Sequence, residues 1–358
     1  MNDRVPDPVP VGQLLGDEIE AHGWTQSEFA AVLGRPVQFV SEIVNGKKEI
    51  TRESAAQIGA ALGQTAEFWL SFQDQFLLSE QAKSTKTQQE LSEVRRRARL
   101  NRLVPVATLR KRGVLAGQDL DKLEAEVVEL LELDSISDDP AFSIAARRSN
   151  HDEPVSLVQV AWVACVRRRA RSRTDIRPFS QSKLETLAAQ LPTLLNTPAG
   201  FSRLPDLFAD AGVVLVYVEA LPGAKIDGCA FMLDRIPVIA LSGRGKRLDK
   251  VLWTLLHEVA HVVLGHVSSE VVVETLDDHD ETDDTENEAD RRARGWLLPT
   301  PLPTPRARVG AGWVDAVADE RGLAPIVIVG QLQRRQVLDW RTTLARNAPT
   351  VTEVLATW

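Results

Sequence analysis

Two histidines and a glutamate stand close together in the second half of the chain, where His257 and Glu258 are followed, after two intervening residues, by His261. On a helix, positions i and i+4 lie on the same face, so both imidazoles can reach one metal ion at about 2.0–2.1 Å. Glu258 lies beside that face, where its carboxylate can take a proton from water at the metal. The spacing predicts a zinc (Zn2+) site of the metallopeptidase kind, with His257 and His261 as ligands and Glu258 as the catalytic base.

A catalytic zinc ion needs a third protein ligand, and the candidates lie downstream of the motif. In a helix over this region one stripe would face the motif helix. The stripe consists of Glu286, Ala289, Asp290, Ala293 and Leu297. We therefore predict Glu286 as the third ligand and leave Glu288, which points elsewhere, as the alternative. Asp290 can orient a ligating histidine by accepting its hydrogen bond. His266 and His279 are weaker candidates.

Several elements must position these side chains. Apolar runs predict three strands before the motif, and helical periodicity predicts one helix around the motif and a second that stops at Pro299. The strands cover 213–218, 229–233 and 237–241, and the helices cover 247–266 and 284–298. Residues 118–195 and the tail from 314 also have helical patterns.

A strand over 228–233, if it lies at a sheet edge, would let a substrate chain add as a further strand and bring its carbonyl to the metal.

This region resembles the ImmA/IrrE family of intracellular metallopeptidases over about residues 205–300. The resemblance rests on the strand pair, on Leu256-His257-Glu258-Val259-Ala260-His261 and on Glu286-Asn287-Glu288-Ala289-Asp290 running to Leu297-Leu298-Pro299. Family members usually carry Glu-x-x-Ala-Asn, where this chain has Asp290 in place of Asn. By analogy the first glutamate of that motif ligates zinc, which implies Glu286. The family is similar to regulators that cleave a repressor, so the resemblance implies a protein substrate.

The N-terminal residues predict a helix-turn-helix. Thr25 followed by Glu28 has the spacing of a capping box, Gly34 ends that helix, and Pro36 opens a second one. Two short helices joined by a tight turn describe this motif. The residues from about Val11 to Phe76 resemble the Cro/C1-type (XRE) repressor module, closest to its form in HigA-like antitoxins.

Operator DNA is the partner that this resemblance implies, because the second helix of such a module enters the major groove. Gln38 and Ser41 are the candidates for reading bases, and Gln26 at a helix N-terminus would bind phosphate. Further backbone contacts are expected from Arg35, Asn45, Lys47 and Lys48. Residues 1–80 carry five basic and twelve acidic side chains, a net charge of −7. We therefore expect weak DNA binding by this module alone, which the basic stretch 83–112 can offset.

The chain has 358 residues, a net charge of −8, two cysteines and no apolar run of the roughly 20 residues that span a membrane. These features predict a cytoplasmic protein of two or three domains with no membrane partner. The expected fold class is α+β and mostly helical. The predicted parts are a helix-turn-helix domain (1–80), a basic and helical connection (81–198), a zincin-like peptidase domain with a small sheet (199–310) and a helical C-terminal region (311–358).

Two functions follow as hypotheses. The first is a zinc-dependent intracellular endopeptidase coupled to a DNA-binding transcriptional regulator, which cleaves a repressor or a toxin–antitoxin partner. The second is a HigA-like antitoxin or repressor in which the zincin domain is a non-catalytic sensor or binding module. The presence of Glu258 favours the first hypothesis, because a purely structural zinc site does not need a base. A homodimer stays open under both.

Overall fold

A computed structural model describes residues 8–140, 144–147, 155–269, 271–274, 284–305 and 308–358. The chain divides into two units, Met1–Arg96 and Arg97–Trp358. It is mostly helical with one sheet, which confirms the predicted fold class. The finer four-part division of the chain stays a prediction. No helix among the described residues is both long and apolar enough to cross a membrane.

From residue 8 onward, where the structure describes it, the first unit is built of helices without strands. They are α1 (Val11–Ala21), α2 (Gln26–Leu33), α3 (Val37–Val44), α4 (Arg52–Leu62) and α5 (Ala66–Lys83), and α6 (Thr85–Leu103) begins in this unit and continues into the second. The predicted capping box is present, since Thr25 and Glu28 each bond the other's backbone N–H. Gly34 ends α2 with φ 64°, a left-handed conformation that glycine adopts without strain. The pair α2 and α3 thus forms the predicted helix-turn-helix.

The core of this unit explains how α1 and α3 come so close. Leu15, Phe29, Ile43 and others form one buried apolar cluster. A side chain at Gly12 would lie 2.3 Å from the carbonyl oxygen of Ile43, so only glycine lets the two helices approach this closely. Gln73 bonds both backbone groups of Ile50 and thereby ties the segment between α3 and α4 to α5.

The second unit arranges helices around a sheet. Its helices are α7 (Val106–Lys111), α8 (Leu120–Leu131), α9 (Leu157–Arg171), α10 (Gln181–Leu194), α11 (Leu204–Asp210), α12 (Leu248–Leu264), α13 (Asp284–Leu297), α14 (Ala311–Arg321), α15 (Pro325–Arg334) and α16 (Thr352–Leu355). Its strands are β1 (Ile144–Arg147), β2 (Val214–Tyr217), β3 (Gly228–Leu233), β4 (Ile236–Leu241) and β5 (Val271–Glu274). Two short 3-10 helices, Pro198–Arg203 and Thr343–Ala345, complete it.

The strand order in the sheet is β1-β5-β3-β4-β2. The pairs β2 with β4 and β1 with β5 are parallel, whereas β3 runs antiparallel to both of its neighbours. Alternate side chains of the strands belong to different apolar clusters. Leu215 and Ile239 lie in one cluster with residues of α12, whereas Val214 and Val238 lie in another with residues of α9. Because both faces are covered, the strands appear in the sequence as continuous apolar runs.

Two expectations about the sheet are wrong. The considered edge position of β3 is wrong, because β3 lies between β5 and β4, and Met232 donates its backbone N–H to the carbonyl of Ser268. We also expected helix throughout residues 118–195, but Ile144–Arg147 is a strand. Both errors have one cause: β1 and β5 are four-residue strands that form through pairing with distant residues, which local periodicity does not report.

Candidate metal centre

Helix α12 buries its polar residues together with its apolar ones. Every residue from Val251 to Val263 is buried, and His257 is fully so. Gly265 ends the helix with φ 75°, again the left-handed conformation. A buried imidazole needs a polar partner, because an unpaired polar group in an apolar interior is costly. The surroundings of His257 and His261 therefore indicate what these residues do.

The three predicted ligands converge. Nε2 of His257 lies 3.0 Å from Nε2 of His261 and 3.1 Å from Oε2 of Glu286. The distance between Oε2 of Glu286 and Nε2 of His261 is 3.5 Å. Within the described residues these three side chains form a group that could hold a metal ion. Glu288, the alternative ligand, is exposed and lies against His266 instead. His279 lies outside the described residues.

The donor set fits a tetrahedral zinc ion. Ligand atoms about 2.0–2.1 Å from such an ion lie about 3.3 Å from one another, which is close to the separations between His257, His261 and Glu286. Burial by itself raises the pKa of Glu286, but the hydrogen bonds and charges of the two histidines outweigh it and hold that pKa below its usual range. The carboxylate is therefore available as an anionic ligand.

Asp290 holds the first ligand in place. Nδ1 of His257 donates a hydrogen bond to Oδ1 of Asp290 at 3.0 Å, so Nε2 of the same ring keeps its lone pair for a metal. Oδ2 of Asp290 accepts from Arg294 at 2.5 Å and from Arg334 at 3.1 Å. Burial by itself raises the pKa of Asp290. The hydrogen bond to His257 and the charges of Arg334, His257 and Arg294 outweigh this effect and hold the pKa below its usual value, so the carboxylate stays ionised.

His266 holds the second ligand in a similar way. Its Nδ1 lies 3.3 Å from Nδ1 of His261, and its Nε2 lies 3.4 Å from Oε2 of Glu288. With Nε2 of His261 directed at the metal position, the ring's Nδ1–H can donate to His266. Sequence reasoning treated His266 only as a rival ligand. It did not find this role, because five residues of separation place His266 beyond the end of α12.

The candidate base lies against the sheet. A side chain at Gly228 would approach Oε1 of Glu258 to 2.7 Å and Cγ2 of Thr254 to 2.8 Å. Gly228 therefore leaves the space that the Glu258 carboxylate occupies. Glu258 itself is almost wholly buried. The strand β3 thus shapes the surroundings of the base although it is not a free edge.

In the first unit the candidate DNA contacts lie on and around α3. Gln38 and Asn45 are exposed, Ser41 is half-buried, and Gln26 begins α2. Gln38 donates to Glu42 at 2.8 Å, and Arg35 binds Gln57 and Glu53. Lys47 is exposed, while the Lys48 ammonium lies 4.9 Å from the Phe39 ring centre. Arg35 and Gln38 thus both have protein partners in this structure, and their roles in DNA binding stay predictions.

Comparisons with known proteins match both units. A helix-turn-helix family model matches residues 16–69, and the Peptidase U49 family model matches residues 248–311, which include the motif helix and the Glu286 helix. The chain therefore combines a DNA-binding type of helix-turn-helix domain with a segment of a peptidase family. The more specific resemblance to ImmA/IrrE stays a prediction.

The chain is also similar to proteins that are named as antitoxins or antidotes. Antitoxin HigA-1 of Vibrio cholerae is 40% identical over 67 residues, which make up 18% of this chain and 63% of that antitoxin. An addiction module antidote protein of the HigA family from Coxiella burnetii is 28% identical, with 24% of this chain and 92% of that one covered and a TM-score of 0.23. A protein from Nostoc punctiforme described as an antidote of a plasmid maintenance system is 29% identical, with 24% and 94% covered and a TM-score of 0.22.

Proposed function

We propose that this chain is a zinc-dependent endopeptidase joined to a DNA-binding transcriptional regulator, and that it cleaves a repressor or a toxin–antitoxin partner. The observation that carries the proposal is the convergence of His257, His261 and Glu286 within 3.5 Å, with Glu258 next to the first ligand. The match of residues 248–311 to a peptidase family supports the same conclusion.

The metal ligands would be His257, His261 and Glu286, with Asp290 and His266 orienting the two imidazoles. When bound, zinc supplies Lewis acidity, which polarises a carbonyl group and acidifies water. Three protein ligands leave a coordination position open, as catalytic zinc sites require. A structural site is more often closed by four protein ligands, so the donor set favours catalysis.

Glu258 is the residue that would move protons. Its carboxylate accepts a proton from the water that attacks the scissile carbonyl, and it later returns that proton to the leaving amine. Burial beside Gly228 and Thr254 keeps bulk solvent from the carboxylate. Addition of the substrate chain to β3 required β3 to be an edge strand, and β3 lies between β5 and β4, so this binding mode is not part of the proposal.

The helix-turn-helix would bring the peptidase to operator DNA or would respond to it. Gln38 and Ser41 would read bases, and Gln26, Arg35, Asn45, Lys47 and Lys48 would hold the backbone. A homodimer, which would present two recognition helices to two half-sites, belongs to this proposal.

The proposal is tested with the protein encoded next to this chain as substrate. Zinc-loaded wild type is expected to cut it at a defined bond that mass spectrometry identifies, and Glu258→Gln is expected to retain zinc but lose cleavage. Unchanged cleavage by Glu258→Gln would refute the role of the base. Glu320→Gln, a matched change at an exposed residue of α14, is the control.

A second candidate is an antitoxin or repressor whose zinc module binds a ligand or partner without catalysis. The 40% identity of the first unit to Antitoxin HigA-1 supports it. This reading predicts that the neighbouring protein forms a stable complex with wild type and with Glu258→Gln alike and is cut by neither. Complex formation without cleavage would therefore select this candidate over the endopeptidase.

A further inference from the structure

A cavity of about 410 Å³ lies between the first turns of α12 and helix α15. Trp253 and Thr254 contribute from α12, and Val327 and Gly330 contribute from α15. A volume of this size accommodates an amino-acid side chain together with neighbouring backbone. None of the roles derived above uses this cavity.

The cavity is lined by Thr254, a direct neighbour of the Glu258 carboxylate at Gly228. Thr254 precedes Glu258 by four residues and thus lies one helical turn away on the same face. The side chains of Thr254 and Glu258 both lie next to Gly228. Asp227, which precedes this glycine, also lines the cavity. A substrate bond held at Glu258 would therefore have a neighbouring residue at the mouth of the cavity.

The cavity also reaches the residues that support His257. Arg334 lines it and binds Oδ2 of Asp290 at 3.1 Å. The guanidinium of Arg334 lies 4.2 Å from the ring centre of Trp253, a cation–π distance that fixes both side chains. One wall of the cavity is thus rigidly connected to the candidate metal centre.

The charges in the cavity leave a positive excess. Its two carboxylates are already paired: Asp227 with Arg244 at 3.1 Å, and Asp249 with Arg247 at 2.6 Å. Lys250 lines the same cavity and forms no ion pair or side-chain hydrogen bond with any described residue. An anionic group is therefore the ligand that this charge distribution would attract.

A second source adds to this excess. Arg294 and Arg334 share the single carboxylate of Asp290, so one of the two positive charges is not neutralised there. Apolar side chains of Trp253, Leu297 and Val327 also line the cavity and would cover methylene groups. The combination suits a carboxylate on a short hydrocarbon chain, as in a glutamate or aspartate side chain.

We propose that this cavity is a specificity subsite that takes the acidic side chain of a substrate residue next to the scissile bond, with Lys250 as its charged contact. The proposal rests on the proposed peptidase function and adds the class of substrate: polypeptides with Glu or Asp beside the cleaved bond. The stem of Lys250 packs over Gly245, where a side chain would approach its Cδ to 2.9 Å, and Gly245 lines the cavity beside Lys250.

Binding is measured with the full-length, zinc-loaded Glu258→Gln protein and rhodamine-labelled heptapeptide pools that carry a C-terminal amide. The pools differ only in a central Glu or Gln, and all other positions hold uncharged residues. By fluorescence anisotropy we expect the Glu pool to bind about tenfold more tightly, the equivalent of one charge-assisted hydrogen bond. Adding Lys250→Glu should abolish that preference, and Lys246→Glu, an exposed lysine outside the cavity, should leave it unchanged.

Several outcomes overturn the subsite. They are equal binding of the Glu and Gln pools, no binding of the Glu pool, a preference that survives Lys250→Glu, and competition by inorganic phosphate without any peptide preference. A third pool with central Gln and a free C-terminal carboxylate separates a side-chain carboxylate from a chain terminus: tight binding of that pool alone would assign the cavity to the terminus and overturn the proposal.

The same peptides separate this inference from the proposed function. Cleavage of both pools by wild type without a preference for Glu would remove the subsite and leave the peptidase. A preference for Glu that depends on Lys250, with no cleavage by wild type, would remove the peptidase and leave a peptide-binding site.

Discussion

Oε2 of Glu286 lies 3.1 Å from Nε2 of His257, although 29 residues separate the two in the sequence. The contact arises because α13 packs along α12 through Ala289, Ala293 and Leu297, which are all buried. Small residues at two of these positions let the helices approach, and Glu286 then reaches the metal position from the first turn of α13. This geometry distinguishes Glu286 from Glu288, which lies on the exposed face.

Zinc affinity should separate the two glutamates. We expect Glu286→Gln to weaken zinc binding by at least about 100-fold, because one of three ligands loses its charge. Glu288→Gln should change it by about tenfold or less, since Glu288 acts only through His266. Competition with a chromophoric chelator measures both. Equal losses in the two variants would contradict the assignment of Glu286 as ligand.

Asp290 should tune the metal site without touching the metal. Asp290→Asn is expected to lower zinc affinity by about 10- to 100-fold, because a neutral amide oxygen is a weaker acceptor for the Nδ1–H of His257 and brings no negative charge to Arg294 and Arg334. The same competition assay measures the loss. Asp319→Asn, at an exposed residue of α14, is the control. An affinity equal to that of wild type would show that His257 needs no such support.

Removal of metal should destabilise the second unit. At zinc concentrations about 100-fold above the dissociation constant, binding stabilises the folded unit by about 2.7 kcal/mol. Differential scanning calorimetry with and without chelator is expected to show a lower melting temperature for the transition of this unit. A double variant, His257→Asn with His261→Asn, should not respond to the chelator. A chelator effect of equal size in that variant would exclude the proposed site.

An ion pair away from the site should set the acid stability of the second unit. Glu132 accepts bonds from Arg167 and Arg171. Burial raises the pKa of Glu132, but the two arginines outweigh it and lower the pKa from 4.5 to about 2.

Because the folded pKa is depressed, this stabilisation is present above about pH 4.5 and is lost as the pH falls toward 2. After allowance for solvent screening it is worth about 1–2 kcal/mol. In urea unfolding, Glu132→Gln should therefore lose stability at pH 6 but little at pH 2. Glu129→Gln, at an exposed residue of α8, is the control. An equal loss of stability for Glu132→Gln at pH 6 and at pH 2 would contradict the prediction.

Sequence-specific DNA binding should depend on Gln38. A lost bidentate contact to a base costs about 1–3 kcal/mol, so Gln38→Ala should weaken operator binding at least about fivefold. Binding to unrelated DNA should change little, because phosphate contacts supply it. Gel shifts at fixed salt measure both, with the exposed Gln75→Ala on α5 as control. Equal affinity of wild type and Gln38→Ala for the operator would remove this residue from base readout.

The sequence alone determined the features that are encoded within a few residues. The i, i+4 spacing of His257 and His261 on an apolar helix, the capping box of Thr25 and Glu28 and the left-handed Gly34 all follow from local geometry. Helical phase also placed Glu286 on the stripe that faces α12. Such patterns repeat with the period of the element itself, so no knowledge of the rest of the chain is needed.

Contacts between distant residues depend on tertiary packing. It placed β5 beside β3, brought Arg334 to Asp290 across 44 residues, and set Gly228 against Glu258. These contacts depend on how whole helices and strands pack, and packing leaves no periodic signal in the sequence. The cavity beside the candidate metal centre has the same origin, because α12 and α15 become its walls only when the unit has folded.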